Sequence, residues 1–244
     1  VLTTTAATVF NGGFASNAPS TISSANNLDT LQLISTDADA NAGPNLRFYR
    51  NSGSPADNDL MAKVDFEGRN DNSQDVVYAS IENYALDVSD GTEDGELTFY
   101  TIVNGTSRNR LDFTNTQTVF NESSIDVDFR VESDTNTHML FVDGGNDAVG
   151  IGTAAPSAPL QVAYAPSDTV GAVGISLKDK DNAIEFGLRL DAASKDLHLD
   201  RYYNGGWLNT MSFDRSTGNV GIGTSAPPMK LTVRNGSANS DIAK

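Results

Sequence analysis

The segment Val149-Gly150-Ile151-Gly152-Thr153-Ala154-Ala155-Pro156 returns 71 residues later as Val220-Gly221-Ile222-Gly223-Thr224-Ser225-Ala226-Pro227. Each copy leads at the same offset into a short alternating stretch, Leu160-Gln161-Val162 in the first and Leu231-Thr232-Val233 in the second. Self-similarity within one chain marks a repeated structural unit, not a single catalytic site. A glycine pair followed by alanine also fits a loose dinucleotide-binding fingerprint. That fingerprint works only where a strand precedes it and a helix follows to hold a pyrophosphate. Pro156 and Pro159 after the first copy, and Pro227 and Pro228 after the second, deny a helix its backbone donors and extend the residues before them. The motif therefore reads as a glycine-permitted turn between two short strands.

Strand patterning runs through the rest of the chain. In Ile125-Asp126-Val127-Asp128-Phe129-Arg130-Val131-Glu132 apolar and charged residues alternate strictly. Leu60 to Glu67 and Ile184 to Asp191 alternate in the same way. A strand puts one such set on a buried face and the other in water, whereas a helix would scatter both. Asn104-Gly105 and Asn204-Gly205 each sit between alternating runs, the strongest short signal for a hairpin. These hairpins are a second repeat: Glu96-Leu97-Thr98-Phe99 through Leu111-Asp112-Phe113 matches Asp196-Leu197-His198-Leu199 through Met211-Ser212-Phe213 without a gap, at an offset of 100. No stretch keeps helical periodicity over three turns. The expected plan is an extended lead-in over 1–30, a β-rich module over 31–118 and a connector over 119–165 ending in the first repeat. A smaller β module over 166–213 and a second connector over 214–244 complete it.

Composition narrows the class. Only 38% of the 244 residues are hydrophobic, lean for a private core, and a chain of this kind folds if it shares a core with copies of itself. Sixteen basic against 32 acidic residues give a net charge of −16, so a trimer would carry three times that, −48. Such a surface repels nucleic acid and anionic lipid, and neither partner is expected. Without cysteine there is no disulfide, thiolate or cysteine-ligated zinc, and no apolar run is long enough to span a membrane. The start, Val1-Leu2-Thr3-Thr4-Thr5, lacks the basic and apolar regions of a secretory signal and an initiating methionine. It reads as a fragment, a processed product or part of something longer.

The run Gly218-Asn219-Val220-Gly221-Ile222-Gly223-Thr224-Ser225-Ala226-Pro227, then Lys230-Leu231-Thr232-Val233, resembles a repeat common in bacteriophage tail fibres. The stretch from Asn51-Ser52-Gly53-Ser54-Pro55-Ala56-Asp57-Asn58-Asp59 through Ile125 to Ser133 resembles fibre proteins of marine phages, including those of cyanobacteria. The resemblance covers most of residues 30–235. It implies an all-β, modular, elongated fibre of small β-sandwich or β-prism-like units, intertwined as a homotrimer on a virion outside the cell. The implied partners are the chain itself, other tail or head proteins, and a host surface glycan or outer-membrane receptor. Ile151 and Ile222 would then point inward near a threefold axis, and exposure of either would count against that. Relatives often end in a self-cleaving chaperone domain that begins with Ser-Asp and a basic stretch. Ser240-Asp241 is present here without the basic continuation, so further fibre modules are the expected sequel.

No catalytic, cofactor or metal residues are assigned, and no receptor site is named. His138 and His198 read as half-exposed strand residues, because neither has a positioned nucleophile. A polysaccharide-degrading fibre would need only two carboxylates, which so acidic a sequence does not rule out. A bacterial surface adhesin is the other alternative. Asp37-Ala38-Asp39-Ala40-Asn41 starts like a calcium loop, but Ala42 and Phe48 stand where glycine and a bidentate acid belong. Asp143-Gly144-Gly145-Asn146-Asp147 reads as a tight turn whose glycines supply positive φ. A weakly held cation on a trimer axis stays open. Trp207, Tyr202 and Tyr203 around the second Asn-Gly turn read as cross-strand packing rather than as a sugar platform.

Overall fold

A computed structural model describes residues 15–41, 43–164, 174–178 and 185–234. Residues 1–14, Ile184 and the Ser240-Asp241 pair lie outside them. The chain divides into two units, Val1–Pro55 and Ala56–Lys244. Within the first, the described residues form neither helix nor strand, and nearly all are exposed, Leu31, Leu33, Leu46 and Phe48 included. Local side-chain bonds shape this segment. The Asp37 carboxylate accepts from the Asp39 N–H at 3.3 Å and the Asp39 carboxylate from the Asn41 N–H at 2.8 Å, the turn chemistry that short acidic side chains favour. The strands begin at Asp59, well inside the expected first module.

The second unit is all-β, with no helix among the described residues, and consists of three sheets. The first is a five-stranded antiparallel meander of β1 (Asp59–Arg69), β2 (Asp75–Asp87), β3 (Asp94–Val103), β4 (Thr106–Phe113) and β5 (Thr118–Phe120). The second joins β6 (Phe129–Val131), β7 (Leu140–Asp143), β8 (Ala148–Ile151) and β9 (Leu160–Val162). The third runs in order through β10 (Ile175–Lys178), β11 (Glu185–Leu190), β12 (Leu197–Tyr203), β13 (Gly206–Phe213), β14 (Val220–Ile222) and β15 (Leu231–Val233). The alternation over Leu60–Glu67 becomes β1, but that over 125–132 yields a strand only at Phe129–Val131. Ahead of it Asn121 and Ser124 take positive φ, and Asn121 Nδ2 donates to the Ile125 carbonyl at 2.8 Å, which bends the chain instead of extending it.

Both sequence repeats are repeats of register. In the hairpin β3–β4, Leu97 faces Phe113, Thr98 faces Asp112 and Phe99 faces Leu111 before a bulge at Arg110. In β12–β13, Leu197 faces Phe213, His198 faces Ser212 and Leu199 faces Met211 before a bulge at Thr210. Both turns place asparagine and glycine at positive φ, the mirror-image turn that matches strand twist. The glycine motif is likewise one geometry used twice. β8 pairs antiparallel with β7 and parallel with β9, and β14 does the same with β13 and β15, in registers that coincide at the 71-residue offset. The motif thus starts inside a strand and turns only at its second glycine. Three-residue strands let so short a crossover return the chain to a parallel neighbour.

Strands make their substantial backbone contacts with their hydrogen-bonded neighbours, and the described residues of a single chain enclose no sandwich core. Among the described residues the buried hydrophobics are Phe141 and Ala148 alone, while Ser80, Thr98, Asp112, Arg189, His198, Asp200, Ser212 and Thr232 are buried and polar. The usual arrangement of apolar inside and polar outside is reversed.

Candidate functional site

The reversal has a simple geometric origin. Successive side chains of a strand point to opposite faces, so each register row belongs to one face of its sheet. One row of the third sheet runs through Ile175, Leu188, Leu199, Met211, Ile222 and Val233, apolar across all six strands. The first sheet has the row Val64, Ile81, Phe99, Leu111 and Phe120, and the second has Phe129, Val142, Val149 and Leu160. Among the described residues these rows stay open in part, some members exposed and the others half-buried. Leu97, Phe113 and Phe120 on the first sheet, and Leu188, Leu197, Phe213 and Ile222 on the third, are each more than a third exposed. Phe120 and Phe129, with ring centroids 4.7 Å apart, bring the apolar surfaces of the first two sheets together.

The opposite faces are closed, with buried polar residues on the first and third sheets and the buried Phe141 and Ala148 on the second. The glycine motifs close them. A Cβ on Gly221 would lie 2.3 Å from the Thr224 carbonyl oxygen and one on Gly150 would lie 2.6 Å from that of Thr153, so each crossover folds flat over its own strand. Gly152 and Gly223 then take φ of 76° and 73°, and their N–H groups donate back to the His138 and Thr210 carbonyls. Asn219 Nδ2 pins the second crossover by donating to the Pro227 carbonyl at 3.0 Å. Asn121 is a third, degenerate copy of this strand end: at φ 65° its N–H donates to the carbonyl of the bulged Arg110. The sequence concealed it, because Thr118-Val119-Phe120-Asn121 shares no glycine with the motif.

In the third sheet the closed face carries a directed chain of bonds. Arg189 Nε donates to Asp200 Oδ2 at 2.8 Å, and Asn209 Nδ2 donates to Asp200 Oδ1 at 3.1 Å. The Ser212 hydroxyl donates to Asn209 Oδ1 at 3.0 Å, which commits its one hydrogen, so the contact of 2.8 Å with His198 Nδ1 is donated by the histidine. His198 is buried, not half-exposed as expected, and burial, with Arg189 next, holds its pKa below the ordinary value. His138 lies in the turn before β7, half-buried, bonded to Thr137 and edge-on to the Phe141 ring. The hydroxyl beside His198, that of Ser212, is buried, and the one beside His138, that of Thr137, is exposed.

The remaining expectations fall out separately. Trp207 and Tyr202 face one another across the hairpin and pack edge to face at 5.7 Å, while Arg201 lies over the Tyr203 ring. In the Asp143–Asp147 turn positive φ falls on Asp147, not on the glycines. Gly144 and Gly145 are needed for room, since a Cβ on either would lie 2.7 Å from the Val127 carbonyl or the Asp126 carboxylate. Ile151 and Ile222 are 42% and 36% exposed, so the exposure that counts against an inward placement is what a single chain displays. Among the described residues no group of three or more acidic or histidine side chains is arranged to hold a metal ion. Glu96 and Asp112 both lie against the buried Thr98 hydroxyl, at 3.0 and 2.9 Å. Comparison with protein-family models and with the sequences of curated proteins found no match.

Proposed function

We propose that the chain is a structural segment of a bacteriophage tail fibre, working as an intertwined homotrimer that carries a host-attachment apparatus. The observation that carries this reading is the partly open apolar face on each of the three sheets. Fully burying one leucine or phenylalanine is worth about 1.5–3 kcal/mol, so the exposed parts of the seven residues named above forgo on the order of 4–9 kcal/mol. A whole domain is stable by only about 5–15 kcal/mol, so a surface that covers them would supply a large share of the stability. Three copies arranged as a prism, apolar faces toward a common axis, supply that surface with no other protein. Ile151 and Ile222 are then covered by neighbouring chains. The open edges of β1 and β10 are met in the same way.

The resemblance to marine phage fibres supports the virion setting, the other tail or head proteins as partners, and a host glycan or outer-membrane receptor as the eventual target. Three identical surfaces make weak contacts add through effective concentration. The test is the native mass by sedimentation equilibrium. Three times 25.8 kDa is expected, with Leu199→Asp reducing the chain to an unfolded or aggregating monomer. A folded wild-type monomer would sink the reading. Release of reducing ends from a host polysaccharide would favour a degrading fibre, and attachment to a cell envelope would favour an adhesin.

A further inference from the structure

The two matching hairpins differ in how their closed faces are bonded. In the second, His198 donates to Ser212, Ser212 to Asn209, and Asn209 and Arg189 to Asp200, and the buried atom left over is the hydroxyl of the bulged Thr210. In the first, Thr98 stands where His198 does, Asp112 where Ser212 does, and Asn109 where Asn209 does. The Thr98 hydroxyl lies 3.0 Å from Glu96 Oε1 and 2.9 Å from Asp112 Oδ1, and it is fully buried. A hydroxyl owns one hydrogen, so it satisfies one carboxylate and leaves its other neighbour with an oxygen–oxygen contact. Two carboxyl groups thus converge on one hydroxyl hydrogen, and a proton on one of them turns the second oxygen–oxygen contact into a hydrogen bond. The Asn109 Oδ1, whose counterpart accepts from Ser212, is buried with no donor.

We infer that the Glu96 carboxyl carries a bound proton, which it donates to the Thr98 hydroxyl while Thr98 donates to Asp112, and that this proton supplies the hydrogen missing among the three groups. The surroundings fit. From β1 the facing charges are Lys63 and Asp65, and Lys63 is taken up by Glu82 at 3.1 Å and Asp65 at 3.2 Å. From β2 come Glu82 and Tyr84, whose hydroxyl donates to Glu82 at 2.6 Å. Tyr100 shares β3 with Glu96, and Glu122 adds a further negative charge beyond β5. Glu82 therefore has a cation and two hydroxyl donors, while Glu96 and Asp112 have one hydroxyl between them and no cation. Burial first, and Asp112 next, push the Glu96 carboxyl upward. A carboxyl raised in the folded state favours folding at low pH, and that contribution is lost as pH rises through the folded value.

The test is infrared spectroscopy of the intact protein with melting curves of wild type and Glu96→Gln, whose amide supplies the missing hydrogen permanently. On titration upward from the ordinary glutamate value of about 4.3, the wild type keeps a protonated-carboxyl band after ordinary carboxyl groups have ionised, and Glu96→Gln lacks that band. The variant melts above wild type by a margin that widens as pH rises through the folded value of Glu96. Absence of the band in the wild type overturns the inference, as does a margin independent of pH. A chelator that lowers the melting temperature of the wild type but not of the variant also overturns it, since a divalent cation would then be what joins the carboxylates.

Discussion

Gly223 stands at φ 73° with the Arg234 carbonyl oxygen 2.5 Å from where a Cβ would sit. Gly223→Ala is expected to cost roughly 1–3 kcal/mol, because it combines a left-handed backbone with a clash against main chain that cannot move alone. Gly206→Ala is the control: nothing lies within 4 Å of its Cβ position, and a change within about 0.5 kcal/mol is expected. Denaturant unfolding of both variants checks the pair. The sequence identified the motif glycines correctly as turn-makers, since only their spacing and the prolines after them were needed. It could not reveal that Gly150 and Gly221 sit inside strands and are required for the thickness of a crossover. Steric room above a strand is set by residues that only the fold brings there.

At the scale of elements, the hairpins keep a common register and bulge while their closed faces carry different chemistry. Asp200 is fully buried against the buried Arg189, and truncating one member of such a pair strands the other's charge. Asp200→Ala is expected to destabilise the third sheet by about 3–5 kcal/mol in equilibrium unfolding. His198 gives the third sheet a pH response opposite to that of Glu96 in the first. Its folded pKa is depressed, so its contribution is complete above the unfolded value near 6.5 and is lost as pH falls toward the folded value. Protection factors of the β12 and β13 amides, corrected for the intrinsic slowing of exchange in acid, should therefore fall between about pH 7 and pH 5, and His198→Gln should flatten that dependence. Strand positions and both hairpin turns were legible, because alternation and Asn-Gly dipeptides are local signals. The burial of His198 was not: its neighbours Leu197 and Leu199 marked the apolar row as the inner one, yet within the chain that row is the more open side.

At the scale of the whole molecule, the apolar rows of the three sheets are the surface most open to association. If the apolar faces are covered by copies of the chain, stability is linked to association, and the melting temperature should rise with protein concentration. Calorimetry over about a hundredfold dilution checks this, and an invariant melting temperature would speak for a self-sufficient fold. The sequence by itself determined the all-β class, the two hairpins, the repeated register and the scarcity of core, since each follows from spacing two residues apart or from composition. Tertiary structure alone decided which face each row lies on, that the crossovers seal the opposite side, and which residues that side buries. Those facts depend on contacts between residues far apart in sequence, and alternation, which is symmetric between the two faces of a strand, carries no sign to tell them apart.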